Sequence, residues 1–93
     1  MSEQTQQPSP ELFFQTVNSY QRTAAVKAAV ELDIFSAIGE GHATPGEMAA
    51  SRGVSERGAR ILCDYLVING LLSKDGGRYA LTNDSALFLD RRS

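Results

Sequence analysis

Residues Thr44–Leu81 read TPGEMAASRGVSERGARILCDYLVINGLLSKDGGRYAL. Thr44-Pro45-Gly46-Glu47 sets a capping threonine three positions before an acid, with proline at the first helical position. The helix this box starts turns Met48 and Ala49 inward. Gly53 is placed to end it in a left-handed C-cap. Val54 is the hydrophobe of the turn, and Ser55 caps a second helix that runs to Asn69 and stops at Gly70. About three residues separate the two helices, the spacing of a helix-turn-helix unit. On the second helix Ala59, Leu62, Cys63 and Leu66 form one apolar stripe, and Ile61, Tyr65 and Ile68 form another. Glu56, Arg57, Arg60 and Asp64 share the remaining face, with Val67 beside them. Leu71–Lys74 and Arg78–Leu81 then alternate about Asp75-Gly76-Gly77, a turn of residues that tolerate positive φ. That is a β-hairpin. The expected fold is mainly α with a small β-hairpin, a winged helix-turn-helix.

Working outward to the N-terminal side, Ser9-Pro10-Glu11 is a helix start: a cap, a proline at the first position and an acid at the positive end of the dipole. The helix should run to about Leu32, which is ~22 residues or ~33 Å. At 100° per residue Phe13, Val17, Tyr20, Ala24 and Ala28 make one apolar stripe, widened by Phe14, Ala25 and Leu32. Gln15, Asn18, Ser19 and Arg22 lie opposite. The stripe begins aromatic and ends in alanines, and the helix is longer than a three-helix core of this size needs. Leu12 to Tyr20 are therefore expected to project and pack on a second chain. The alternative is a long helix with a frayed start, in which Ala24 and Ala28 serve the chain's own core. Residues 1–8, MSEQTQQP, are expected to be a disordered lead-in, neither signal nor transit peptide. The folded domain is taken as residues 9–93.

Beyond that helix, Asp33–Ile38 should form a short turn of helix with Ile34, Phe35 and Ile38 inward. Gly39-Glu40-Gly41-His42 reads as a loop. After the hairpin, Thr82-Asn83-Asp84 caps a last segment, Ser85 to Asp90, carrying Ala86, Leu87, Phe88 and Leu89.

Composition limits the function. The 93 residues have 42% hydrophobic content, a net charge of −2 and one cysteine. One domain of this size buries roughly 60% of its unfolded surface and gains from a partner. With one cysteine there is no intrachain disulfide framework, and a reduced cytoplasmic setting is expected. No apolar run approaches the ~20 residues of a membrane span. A nucleic-acid binder would be basic. Here Arg57 and Arg60 are offset by Glu56 and Asp64, and Lys74 and Arg78 by Asp75 in part. The DNA-binding alternative, a winged-helix transcriptional regulator, would use Arg57, Arg60, Lys74 and Arg78 as phosphate contacts and bind duplex in a salt-dependent way. A third alternative is an adaptor for a heterologous protein. No catalytic, cofactor-binding or metal-binding residues are assigned. One histidine and one cysteine cannot close a zinc site, Cys63 reads as a small core residue, and His42 as a solvated loop side chain. The glycine pairs at 39/41 and 76/77 are turns, not phosphate loops.

The order of elements, with Ala28-Ala29-Val30-Glu31-Leu32-Asp33-Ile34-Phe35, Thr44-Pro45-Gly46-Glu47-Met48-Ala49, Arg57 to Leu72 and Gly77-Arg78-Tyr79-Ala80-Leu81-Thr82, resembles the N-terminal dimerisation domain of S-adenosylmethionine-dependent small-molecule O-methyltransferases. These include plant caffeate and flavonoid methyltransferases and bacterial antibiotic-pathway methyltransferases. The resemblance covers roughly Glu11 to Ser93, though other winged helices share the LxxNGLL pattern. It implies a homodimer in which the long first helix packs on the partner chain and helps close the partner's small-molecule substrate pocket. Carried over by position, Phe13, Phe14, Val17 and Tyr20 are the pocket candidates, and Ala24 and Ala28 join them at the dimer interface. The methyl-donor domain of such enzymes is not in this sequence. The chain is expected to be a fragment of a larger enzyme that neither binds S-adenosylmethionine nor turns over alone.

Overall fold

The computed structural model describes residues 10–91, apart from the side chains of Phe13, Phe14 and Thr16. The expected lead-in at 1–8 and the Ser9 cap lie outside the described residues. Among the described residues seven elements follow one another: α1 (Pro10–Glu31), α2 (Ile34–Gly39), α3 (Pro45–Arg52), α4 (Glu56–Ile68), β1 (Leu72–Asp75), β2 (Arg78–Leu81) and α5 (Asn83–Phe88). The fold is mostly helical with one antiparallel hairpin, as the sequence predicts.

The core forms around α2, whose residues Ile34 to Ile38 are all buried. A six-residue helix can bury every side only if it is enclosed, and α2 packs against α1, α3, β2 and α5. Met48 of α3, Ala59, Cys63 and Leu66 of α4, and Leu72 and Tyr79 of the hairpin complete the core. Cys63 Sγ lies 3.7 Å from Met48 Sδ inside it.

The local signals act as expected. Thr44 Oγ1 accepts from the Glu47 N–H at 3.1 Å, and Glu47 Oε1 accepts from the N–H groups of Thr44 and Ala43 at 3.3 and 2.9 Å. Gly53 closes α3 at φ 69°. A Cβ there would meet nothing within 4 Å, so the backbone conformation, not space, calls for glycine. Ser55 Oγ accepts from the Gly58 N–H at 3.0 Å to start α4.

Three details differ from the sequence reading, and a fourth, the exposure of the second stripe of α4, is one that it left open. The hairpin turn has two residues, Gly76 and Gly77, at φ 58° and 85°. Asp75 is therefore in β1, opposite Arg78, because paired positive-φ glycines match the twist of the strands. The last helix begins at Asn83 and ends at Phe88, since Ser85 acts as the third residue of a capping box with Thr82. The second stripe of α4 is not core: Ile61 is 59% and Ile68 81% exposed. On α1, Ala25 does not widen the stripe of Val17, Tyr20 and Ala24. It packs on the core with Val26, beside the buried Ala29. Ala29 is five residues on from Ala24, and so is turned roughly 140° away from it at 100° per residue.

A surface on the first helix and its surroundings

The sides of α1 have separate roles. Ala25, Val26 and Ala29 hold it to the body. The opposite side carries the stripe singled out in the sequence. Tyr20 is 75% exposed, Ala24 is exposed, and Val17 and Ala28 are half-buried. The side chains of Phe13 and Phe14 lie outside the described residues. Tyr20, Thr23, Ala24, Lys27, Ala28 and Glu31 line an open groove on this outward side. Ala24 and Ala28 are the small side chains of its lining.

The chain is drawn out along this helix. Its extents are 56 × 26 × 24 Å and its radius of gyration is 16.4 Å. A compact 93-residue domain would have about 12 Å. The exposed half of α1 is thus a projection, with Leu12 also 62% exposed near its start.

A second groove was not anticipated. It runs between α1 and α4 and is lined by Gln21, Ala25, Gly58, Ile61, Leu62 and Tyr65. The signal for it was present in α4, which is apolar around most of its circumference. So small a chain can cover one such stripe, and the other remains outside.

The cations proposed for DNA are partly engaged within the chain. Lys74 Nζ sits 2.9 Å from Asp64 Oδ1 and 5.2 Å from the centre of the Tyr79 ring. The Tyr79 hydroxyl also donates to Asp64 Oδ1. That hydroxyl, then Lys74, holds the Asp64 carboxyl below its usual range. Arg78 Nη2 donates to the Gly41 carbonyl at 3.1 Å, and Arg78 Nη1 lies 3.5 Å from Glu47. The Ala43 N–H, with Arg78 assisting, pulls the Glu47 carboxyl down as well. Arg57 and Arg60 are exposed. The hairpin is thus clamped from two sides, and the Tyr79 N–H adds a bond to the Ala43 carbonyl at 2.8 Å.

Sequence reasoning also passed over an ionic junction. Asp33 is the one non-glycine residue at positive φ (63°) among the described residues. Its Oδ2 accepts from Arg52 Nε at 3.0 Å, and Arg52 Nη2 reaches Glu40 at 3.1 Å. In the sequence Asp33 stood only at the start of a short turn of helix, because its partner is nineteen positions away.

Burial pushes the Cys63 thiol up to about 12. It stays protonated at neutral pH and is no nucleophile. His42 is a half-buried loop residue whose N–H donates to the Ala37 carbonyl. Among the described residues no group of three His, Cys, Asp or Glu side chains could hold a metal ion. No described helix is long and apolar enough to cross a membrane.

Known proteins share this fold. Residues 14–91 match the profile of the O-methyltransferase dimerisation domain. The chain is 32% identical over 93 residues to the tetracenomycin polyketide synthesis 8-O-methyl transferase TcmO of Streptomyces glaucescens, covering 99% of this chain and 27% of TcmO. It is 57% identical to a solved protein of Nostoc punctiforme assigned to the O-methyltransferases, with a TM-score of 0.82, covering 94% of this chain and 27% of that one. The solved O-methyltransferase NcsB1 of neocarzinostatin biosynthesis is 32% identical at a TM-score of 0.70, covering 75% and 21%. It holds S-adenosyl-L-homocysteine and 1,4-dihydroxy-2-naphthoic acid. The chain thus spans about a quarter of the length of the proteins it matches.

Proposed function

Because the chain belongs to the O-methyltransferase dimerisation-domain family, we propose that it pairs with a second copy of itself through the outward face of α1. In this reading it is the dimerisation part of a cytoplasmic, S-adenosylmethionine-dependent O-methyltransferase acting on a small molecule. The supporting observation is the exposed apolar stripe on a helix that projects from the body, with Tyr20 75% exposed. Association would draw mainly on apolar area, at ~25 cal/mol per Å² before the entropic losses of pairing. The pair would bury on the order of 800 Å² per chain. Val17, Tyr20, Ala24 and Ala28 contribute the mapped part of this surface, and Phe13 and Phe14 extend it toward the helix start. In the whole enzyme Phe13, Phe14, Val17 and Tyr20 would also close the back of the partner's substrate pocket. S-adenosylmethionine would be held elsewhere in that enzyme. The one tight glycine pair, Gly76-Gly77, is spent on a hairpin turn, and these 93 residues neither bind the methyl donor nor catalyse.

The internal use of Lys74 and Arg78 argues against the DNA-regulator alternative. The test is solution mass by light scattering over a concentration series at low and high salt. A dimer that survives high salt supports the proposal. Val17→Asp should reduce it to a folded or partly folded monomer. A monomer at every concentration, or a fully dimeric Val17→Asp protein, would overturn it. In the whole enzyme Tyr20→Ala should raise KM for the methyl acceptor more than for the methyl donor.

A further inference from the structure

The run Ile34-Phe35-Ser36-Ala37-Ile38 is buried throughout, and Ser36 is its one polar side chain. A buried hydroxyl without a partner is costly. Ser36 Oγ instead accepts from the backbone N–H of Arg91 at 2.7 Å, across 55 positions of sequence. Beside it, Asp33 Oδ1 is buried without a hydrogen-bond partner among the described residues. Arg91 Nη1 lies 3.7 Å from that oxygen. Asp90 is buried and its N–H donates to the Ser85 carbonyl at 3.1 Å. Asp90 and Arg91 form the stretch that follows α5. Here it is seated on α2 by a backbone bond, and the Asp33 carboxylate faces the Arg91 guanidinium.

We infer that Ser36 and Asp33 form a docking point for the backbone at Asp90–Arg91, fixing the direction the chain takes at Arg91. The positive φ of Asp33 belongs to this arrangement. It turns the carboxylate to a place where Arg52 meets one oxygen and Arg91 approaches the other. The larger consequence rests on the proposed function: in a longer, two-domain chain the junction would be stiff, and the following domain would be held at a set angle to the dimer. The docking itself is a property of these 93 residues and is tested without reference to dimerisation.

The test is amide hydrogen exchange by NMR. The Arg91 amide should be protected in the wild-type chain. Ser36→Ala should speed its exchange about 10-fold, the loss expected for one hydrogen bond, and leave the Tyr79 amide unchanged. Asp33→Asn, which tolerates the left-handed backbone, should speed it by a smaller factor. Should Ser36→Ala fail to fold, Arg91→Pro removes the same bond from outside the core. The Asp90 amide should then lose protection while the urea midpoint barely moves. An Arg91 amide that exchanges freely in the wild type, or stays protected in Ser36→Ala, overturns the inference. So does full Asp90 protection in Arg91→Pro. Light scattering on each variant reads the dimer separately.

Discussion

Helices α1 and α2 are both rich in apolar residues, yet they have opposite fates. The six residues of α2 include five that are buried. Of the described side chains on the twenty-two-residue α1, Ala29 alone is buried. Composition does not explain the contrast. The short helix is enclosed by four other elements, whereas the long one meets the body along one side and outruns it. One helix is enclosed by its own chain, and most of the other stays exposed.

That contrast makes ordered predictions about stability. The largest effect should come from the enclosed helix. Phe35 is 1% exposed and sits within the core cluster, so its removal leaves a cavity. Phe35→Ala should cost about 3–5 kcal/mol, much of the stability of so small a domain, read as the shift in the urea midpoint. Next is the start of α3. Thr44→Ala removes the acceptor of the Glu47 N–H and should cost about 1 kcal/mol in the same assay.

A smaller effect is tied to pH. The Asp64 carboxyl is pulled below its ordinary value of 3.8 by the Tyr79 hydroxyl and then Lys74. Its contribution is therefore present above that ordinary value, and is lost as pH falls through the lower folded-state value. Urea midpoints measured from pH 5 down to about pH 2 should decline. Tyr79→Phe should make that decline shallower. The change will be modest because the Asp64 carboxylate is 43% exposed.

The smallest effect should come from the outer face of α1. Tyr20→Ser should leave the stability of the monomer within about 0.5 kcal/mol, although it lies on the surface where the dimer is proposed to form. Comparing its urea midpoint under monomeric conditions with its mass by light scattering separates the two roles. A large loss of monomer stability would mean that Tyr20 serves its own chain's fold after all.

Much of the fold could be read from short spans. The Thr44–Glu47 box, the Gly53 and Gly70 stops, the Ser55 cap and the Gly76-Gly77 hairpin all use partners within four residues of one another. Steric limits on φ and the geometry of a single helical turn govern them, so the order of elements was legible in the text of the chain. The stripe on α1 was legible too, as a period of hydrophobic residues, and so was the excess length of that helix. Periodicity could not say which side of α1 meets the body. It put Ala25 with the outward stripe, and the structure puts it inward. It listed both stripes of α4 without saying that Ile61 and Ile68 stay outside.

Those matters depended on where the elements meet. The Asp33–Arg52 pair, the Asp64–Tyr79–Lys74 clamp and the Ser36–Arg91 seat join residues 10 to 55 positions apart. None leaves a local pattern, because each is made only when packing of the core brings two distant stretches within reach of a hydrogen bond. Local sterics and hydrogen bonds act over a few residues and can be read along the chain. The choice of which apolar face is covered depends on how much surface the remaining elements have to offer, and that is a property of the assembled core.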